Sequence, residues 1–384
     1  MVVGEIASDV DLLVIGAGPG GYAAALNAAR HGRKVTLIEK EALGGTCLNV
    51  GCIPSKTLIE VSNVAAISNR VSDWGLQVST SVNMSEVRSH LSQTVTSLTD
   101  GIRNLLDRAG VEVIKGAAYF TKPNRVIVEN EGKAEHFEFR HAIVATGSRP
   151  VELPDLPFDG QQIVGSEDLL FRDEIPQQLV LVGGGYIGVE IGCAYAKLGS
   201  QVTIVETESR ILPTFDEKIG RVITRGLRSL GIGICCNHTA LTFQEGALLV
   251  DGPDGETLLP ADLVGVVVGR RPNSDLVGIE NAGATVEDNG LVRVDSSRRA
   301  TQNVFAIGDL TAGPALAHKA TAEAEVAADT ACEITNSFDP TCIPMIVFSD
   351  PQILEVGINE EKAKSEGIET SSFRFPLTAS GRAK

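Results

Sequence analysis

A chain of 384 residues suits two or three domains at roughly 150 residues each, and 43% hydrophobic with 21% charged residues excludes disorder and low-complexity scaffolds. Forty-nine Asp and Glu against 33 Lys and Arg leave a formal charge of −16, which repels phosphodiester backbones and anionic membrane surfaces. Forty glycines beside 4% aromatic residues point to tight turns and backbones pressed close to something. The apolar stretch Leu12–Ala29 is interrupted by Gly16, Gly18, Pro19, Gly20 and Gly21, and no basic segment precedes it. It therefore reads neither as a secretory signal nor as a spanning helix. Seven cysteines argue against a secreted disulfide framework and for a reducing compartment, with a cytoplasmic location expected.

In chain order, Leu12–Ile15 reads as a buried parallel strand leading into the turn Gly16-Ala17-Gly18-Pro19-Gly20-Gly21. A helix through Ala23–Arg30 and a second strand, Val35–Ile38, ending at Glu39, follow. Residues 56–108 carry long helical patterns, Val87–Leu106 among them. His141–Ala145 reads as a strand ending in the turn Thr146-Gly147-Ser148-Arg149-Pro150. Then the opening pattern returns. The strand Leu179–Val182 leads to Gly183-Gly184-Gly185-Tyr186-Ile187-Gly188, a helix through Ala194–Leu198, and Val202–Val205 ending at Glu206. From first glycine to closing acid the interval is 23 positions in both copies. Leu263–Val268 with Gly269-Arg270-Arg271-Pro272 echoes the earlier strand and turn, Asn303–Ile307 reads as a strand ending at Gly308-Asp309, and residues 320–334 as an Ala-rich helix.

A lone GxGxxG is weak in a chain with 40 glycines. Strand, GxGxxG, helix, strand and acid together make a complete dinucleotide fingerprint. The first glycine makes the turn, the second admits a pyrophosphate, and the third lets helix and strand touch. The phosphates sit on the helix N-terminus and the acid binds a ribose hydroxyl. The expected fold class is α/β: two Rossmann-like dinucleotide-binding domains, the second (151–271) inserted in the first (1–150 and 272–341). Glu206 favours NAD over NADP because a carboxylate repels a 2′-phosphate, with Arg210 nearby as a counterweight.

Between the fingerprints lies Gly44-Gly45-Thr46-Cys47-Leu48-Asn49-Val50-Gly51-Cys52-Ile53-Pro54-Ser55-Lys56. Cys47 and Cys52 are open to three readings: chance, a metal half-site or a redox pair. No second cysteine pair and no histidine stands at metal-ligand spacing, so no metal site is expected. In a regular helix positions i and i+5 lie about 8.6 Å apart at Cα, beyond the ~7 Å that a disulfide spans. A bridge between them requires residues 47–52 to leave regular helix. Gly51 and Pro54 allow such a turn, with a helix opening from about Pro54 whose dipole favours a thiolate. Cys235 and Cys236, in an apolar strand-like stretch, read as core, as do Cys193, Cys332 and Cys342.

The words GGTCLNVGCIPSK, GGGYIGVEIG, VTIVE with ILPTFDE, VGRRPN, VFAIGD and LAHKA resemble the pyridine nucleotide–disulfide oxidoreductases, nearest their dihydrolipoyl-oxidising branch, over essentially the whole chain. The resemblance implies electron transfer from dihydrolipoyl groups through a Cys47–Cys52 redox disulfide and FAD to NAD+, in service of the lipoyl domains of a 2-oxoacid dehydrogenase complex. It implies that Cys52 lies next to the flavin, that Cys47 exchanges with substrate, and that Lys56 pairs with Glu190 to tune the flavin. FAD is then held by Gly16, Gly18, Gly21, Glu39 and Lys40 at the first fingerprint. Gly45, Thr46, Lys56 and Gly116 line its bed, with Thr146, Gly147, Asp309 and the amides of Ala317 and His318. NAD is held by Gly183, Gly185, Gly188, Glu206, Gly269 and Arg270, with Tyr186 as a gate over the flavin. Solvated charges are the plainer reading of Lys56 and Glu190, and core packing that of Tyr186. The competing activities are another disulfide reductase of the family, or a flavoprotein module with only NADH–dye activity.

The family's interface domain, which forms a homodimer and supplies a His acid–base, is matched only by its α+β opening, about Cys342–Lys384. No histidine follows His318, so that base is expected to be missing and the apolar face of the opening to lie exposed.

Overall fold

The computed structural model describes residues 7–71 and 74–381. The first six residues of the expected first domain and Arg382–Lys384 of the expected interface segment lie outside the described residues. Strand β1 (Ala7–Ile15), helix α1 (Pro19–Arg30) and strand β2 (Val35–Glu39) form the first crossover, with β2 parallel to β1. The second half of β1, Leu12–Ile15, is apolar on both sides because both sides are covered. Leu12 and Val14 share a core with Ala24 and Ala28 of α1, while Leu13 and Ile15 share another with Phe120 and Phe139. Each such Leu, Val, Ile or Phe side chain contributes about 1.5–3 kcal/mol on burial.

Two short steps follow: helix α2 (Gly45–Asn49), a break at Val50 and Gly51, and helix α3 (Cys52–Val71). The helix expected from about Pro54 starts two residues earlier, and α2 before it was not foreseen. A Cβ at Gly51 would lie 2.8 Å from the Thr46 carbonyl oxygen, so the junction closes only around a glycine. Helix α4 (Met84–Arg108) begins three residues before the periodic stretch, because Asn83 caps it by accepting from the Ser85 and Glu86 amides.

Strands β3 (Glu112–Lys115), β4 (Ala117–Lys122), β5 (Arg125–Asn130) and β6 (Lys133–Val144) complete the sheet in the order β3-β2-β1-β6-β5-β4. The β4–β5–β6 meander is antiparallel on an otherwise parallel sheet. After β7 (Ser148–Pro150), strand β8 (Ile163–Val164) and helix α5 (Ser166–Leu170) lead into the second repeat. This is β9 (Gln178–Val182), helix α6 (Tyr186–Leu198) and β10 (Gln201–Glu206). The helix starts eight residues before the stretch the sequence suggested, since Gly188 and Gly192 lower its propensity yet let it press on the sheet.

Helix α7 (Glu217–Ser229) and β11 (Gly233–Cys236) follow, then the antiparallel ribbon β12 (Thr239–Gln244), β13 (Ala247–Gly252) and β14 (Gly255–Pro260). Strand β15 (Leu263–Val266) gives a second parallel sheet of order β11-β10-β9-β15-β8. Cys235 and Cys236 are half-buried and packed in different cores, one on each face of β11, so alternation keeps these adjacent thiols apart.

Strand β16 (Arg270–Pro272) pairs antiparallel with β7, tying together the two points where the chain passes between sheets. Helix α8 (Ser274–Val277), strand β17 (Val304–Ala306), parallel to β6, and helix α9 (Ala317–Ala331) return to the first sheet, and α9 packs beside α1. The tail forms the hairpin β18 (Met345–Val347) and β19 (Ile353–Glu355) and helix α10 (Glu360–Ser365). Val347 and Ile353 join the core of the second unit, and a Cβ at Gly226 of α7 would lie 2.2 Å from the Asp350 carbonyl oxygen. Leu354, Val356, Phe373 and Phe375 are exposed, as expected for this segment. Among the described residues no helix is long and apolar enough to cross a membrane.

Candidate active site

One cavity of about 740 Å³ runs along the first fingerprint to the two cysteines. Its floor is the turn Gly16–Gly20 at the α1 N-terminus, where free N–H groups and the helix dipole face inward. A Cβ at Gly21 would stand 1.8 Å from the Gly16 carbonyl oxygen, so only glycine lets α1 meet the strand. Gly45, at φ +55°, brings its backbone against Gly18: a Cβ there would lie 2.7 Å from the Gly18 Cα. Glu39 closes the turn by accepting from the Ala17 amide at 2.7 Å and the Glu41 amide at 2.7 Å. Lys40, Thr46, Gly116, Thr146, Gly147, Asp309 and Ala317 also line the cavity.

Two features show that this bed is shaped for a large polar ligand. The Thr146 hydroxyl is buried in the cavity wall with no hydrogen-bond partner. The Asp309 carboxylate stands opposite, accepting from the Ser148 hydroxyl at 2.6 Å. Below it, Glu323 accepts from the Gly308 amide at 2.7 Å and Lys319 donates to the Gly308 carbonyl at 2.9 Å. Arg298 supplies the second cation on Glu323, at 3.0 Å. The spacing of Lys319 and Glu323 by four in an Ala-rich helix is the one local sequence signal of this buried pair.

The cysteines sit where α2 gives way to α3. Both are free thiols here, the reduced form of the pair. A hydrogen bond from Cys47 holds the Cys52 thiol down at about 7, against the opposing effect of burial, and the Lys56 ammonium one turn along α3 adds to this. Cys52 is the first residue of a 20-residue helix, whose N-terminus also favours the thiolate. The same hydrogen bond, with burial, pushes the Cys47 thiol up. The pair is thus divided into one thiolate and one thiol.

Lys56 Nζ meets Glu190 Oε2 at 2.9 Å, and Glu190 is buried. Glu190 comes from α6, one turn after Tyr186, and both line the cavity. Burial pushes the Tyr186 phenol up to about 12, although 40% of the residue is still exposed; the ring stands at the cavity mouth. The other carboxylate oxygen of Glu190 accepts from the Phe348 amide at 2.9 Å. The Phe348 ring lies 4.7 Å from Lys56 Nζ. Phe348 belongs to the segment Val347–Pro351 that resembles the interface domain, but no sequence signal joins it to Glu190, 158 positions away.

The second fingerprint repeats the geometry, and its glycines do not line this cavity. A Cβ at Gly188 would lie 2.0 Å from the Gly183 carbonyl oxygen. Glu206 accepts from the Gly184 amide at 2.6 Å and the Glu208 amide at 2.8 Å, and Gly185 caps α6. Arg210 donates to the Pro213 carbonyl at 2.8 Å. α6 therefore carries an anion-binding N-terminus at one fingerprint and presents Tyr186 and Glu190 to the cavity of the other. Arg270 and His318 have partners outside their own turns. Arg270, grouped with Gly269 at the second fingerprint, donates to the Ser148 hydroxyl at 2.8 Å and carbonyl at 2.6 Å, and lines the first cavity, because β16 pairs with β7. The His318 side chain is exposed and bonded to the Pro344 carbonyl at 2.9 Å, while Ala317 before it lines the cavity at the start of α9, where the two backbone amides were expected.

The sequence profile of the "Pyridine nucleotide-disulphide oxidoreductase" family matches residues 10–324, and that of its dimerisation domain matches residues 343–384. The chain belongs to this family. Oxidoreductases of this family use FAD and NAD(H), and the glycine-lined bed, the orphaned Thr146 hydroxyl and the dithiol fit that pair. The chain is 43% identical over its full length to a dihydrolipoyl dehydrogenase of Geobacillus stearothermophilus and 41% identical to that of Bacillus subtilis, covering 83% of each. Among solved structures it resembles LpdA from Mycobacterium tuberculosis, with TM-score 0.89 and 26% identity over 97% of this chain and 84% of that one. It also resembles the HOCl-induced flavoprotein disulfide reductase RclA from Escherichia coli, with TM-score 0.84 and 28% identity over 97% and 83%.

Proposed function

We infer that this oxidoreductase oxidises the dithiol of dihydrolipoyl groups to the lipoyl disulfide and reduces NAD+ to NADH, releasing one proton. The observation that carries the reading is the divided dithiol, with Cys52 thiolate-prone at the cavity wall and Cys47 protonated beside it. The identity of 41–43% over the whole chain to dihydrolipoyl dehydrogenases supports the substrate. In this reading the partners are lipoyl domains of a 2-oxoacid dehydrogenase complex, the chain pairs as a homodimer through residues 343–384, and the location is the cytoplasm.

A bound FAD supplies the exchange between thiol and hydride chemistry that side chains lack. The first fingerprint, Glu39, Thr146 and Asp309 bind and orient it, and Tyr186 excludes water from the mouth. When Cys47 and Cys52 are bridged, a substrate thiolate attacks the Cys47 sulfur. The bridge breaks and Cys52 leaves with the electron pair, as the lower-pKa sulfur leaves faster. The second substrate thiolate then attacks the mixed disulfide, the lipoyl disulfide forms, and Cys47 leaves and takes a proton. Among the described residues no histidine lines the cavity.

The test is NADH formation from dihydrolipoamide and NAD+ by the FAD-loaded chain, with Cys47→Ser and Cys52→Ser alongside. Turnover in the parent and none in either variant is expected. Dye reduction by NADH with no oxidation of dihydrolipoamide would overturn the reading in favour of a diaphorase module.

A further inference from the structure

The tail hairpin contributes to the redox site of its own chain. Phe348 follows β18 directly, and its two contacts converge on one ion pair. Its N–H donates to Glu190 Oε1 at 2.9 Å while Lys56 takes the other oxygen at 2.9 Å, so the carboxylate is held at both ends. Its ring then lies 4.7 Å from the Lys56 Nζ. That ammonium has a choice to make. The Lys56 side chain is 34% exposed, while that of Glu190 is only 5% exposed, so the lysine can turn to water and the carboxylate cannot. Besides Glu190, the aromatic face is a second attraction on that cation.

We propose that Phe348 is a positioning residue for the reaction, holding the Lys56 ammonium on Glu190 and thereby facing it toward the Cys52 sulfur. Phe348 is not among the residues that line the cavity, and its ring acts through Lys56. The charged and titratable groups around Cys52 come from three elements: Cys47 on α2, Lys56 on its own helix, and Glu190 and Tyr186 on α6. Of these only Lys56 is a cation, and it lowers the thiol pKa while Glu190 raises it. Loss of the ring frees the cation and leaves the carboxylate, so the thiolate weakens. The proposal extends to the tail segment a consequence for electron transfer: whatever displaces β18 changes the thiolate.

This rests on the reading of Cys52 as the thiolate of the pair, and the test separates the two. The reduced full chain is titrated anaerobically by its ultraviolet thiolate absorbance, with Cys52→Ser assigning the transition near 7. Should Cys52→Ser leave that transition in place, the reading of Cys52 fails and the proposal with it. With the assignment secure, Phe348→Leu is expected to raise the Cys52 midpoint by about half a unit, a roughly threefold loss of thiolate below the midpoint. Phe348→Tyr, which keeps the ring, should titrate as the parent. In a Lys56→Met background Phe348→Leu should add nothing, because the ring then has no cation to hold. If Phe348→Leu does not fold, Phe348→Met takes its place with the same expected rise. An unmoved midpoint in the folded variant, a Phe348→Tyr shift as large as that of Phe348→Leu, or an undiminished shift in the Lys56→Met background would each overturn the proposal.

Discussion

The third glycine of each fingerprint offers a clean separation of the two nucleotide sites. In Gly21→Ala the new methyl would lie 1.8 Å from the Gly16 carbonyl oxygen, and in Gly188→Ala 2.0 Å from that of Gly183. Overpacking costs about 1–3 kcal/mol where side chains can yield. Here the obstacle is backbone, and relief requires α1 or α6 to lift off its strand. The cost belongs at the top of that range, roughly a 5–10 °C fall in Tm for a unit of this size. Lifting α1 withdraws its N-terminus from the cavity floor, whereas lifting α6 withdraws the second fingerprint. Gly21→Ala should therefore lose bound FAD, read as the ratio of flavin to protein absorbance after gel filtration. Gly188→Ala should keep FAD but lose NADH binding, read by calorimetric titration. Gly101→Ala is the control, since it lies within α4 with nothing within 4 Å of the added carbon. It should gain about 0.5–1 kcal/mol from helix propensity alone. A Gly21→Ala chain that keeps both its flavin and the parent Tm would refute the close-contact argument, and an exchange of the two losses would refute the assignment of the sites.

Two further outcomes follow from the charges. Lys56→Met removes the cation that, beside the Cys47 hydrogen bond, helps hold the Cys52 thiol at about 7. Because the Lys56 side chain is 34% exposed and screened by solvent, the midpoint should rise by about one pKa unit at most. The thiolate, present above the midpoint and lost as pH falls through it, then survives only at higher pH, which alkylation rate against pH would show. Glu206→Gln keeps one acceptor oxygen where the carboxylate serves the Gly184 and Glu208 amides with two. One of the two amides loses its partner, at a cost of about 1–3 kcal/mol where it is the buried Gly184 amide, so KM for NAD+ should rise while the flavin content stays at the parent value; an unchanged KM would show that the acid does not hold the glycine turn.

What the sequence disclosed was what is local and periodic. Leu12–Ile15 and Leu179–Val182 are legible because strands buried on both faces must be continuously apolar. The glycines are legible because backbone contact at Gly21 and Gly188 tolerates no other residue. Helix starts were less legible: α6 was read from Ala194 because Gly188 and Gly192 hide its first turns, and α4 from Val87 because the Asn83 cap has no apolar period. The side of a residue within the site was hardest. Arg270 follows the second fingerprint's sheet in sequence, yet the β7–β16 pairing swings it onto Ser148, a contact 122 positions away that no local pattern encodes.

The same limit explains how the site is assembled. Lys56 and Cys52 are one turn apart on α3, which sequence spacing suggests, but a lysine on a helix face ordinarily points to water. What retains it is Glu190, from a helix whose N-terminus belongs to the other nucleotide site, and Phe348, from the tail. Each of these three elements alone would present an ordinary charged or apolar residue. Together they fix one ammonium in front of one sulfur, and the break at Val50–Gly51 lets that sulfur stand at a helix start while its partner stays in the turn before it. The asymmetry between the two thiols is therefore a property of the junction of α2, α3 and α6, and any substitution that restores regular helix through Gly51 should erase it.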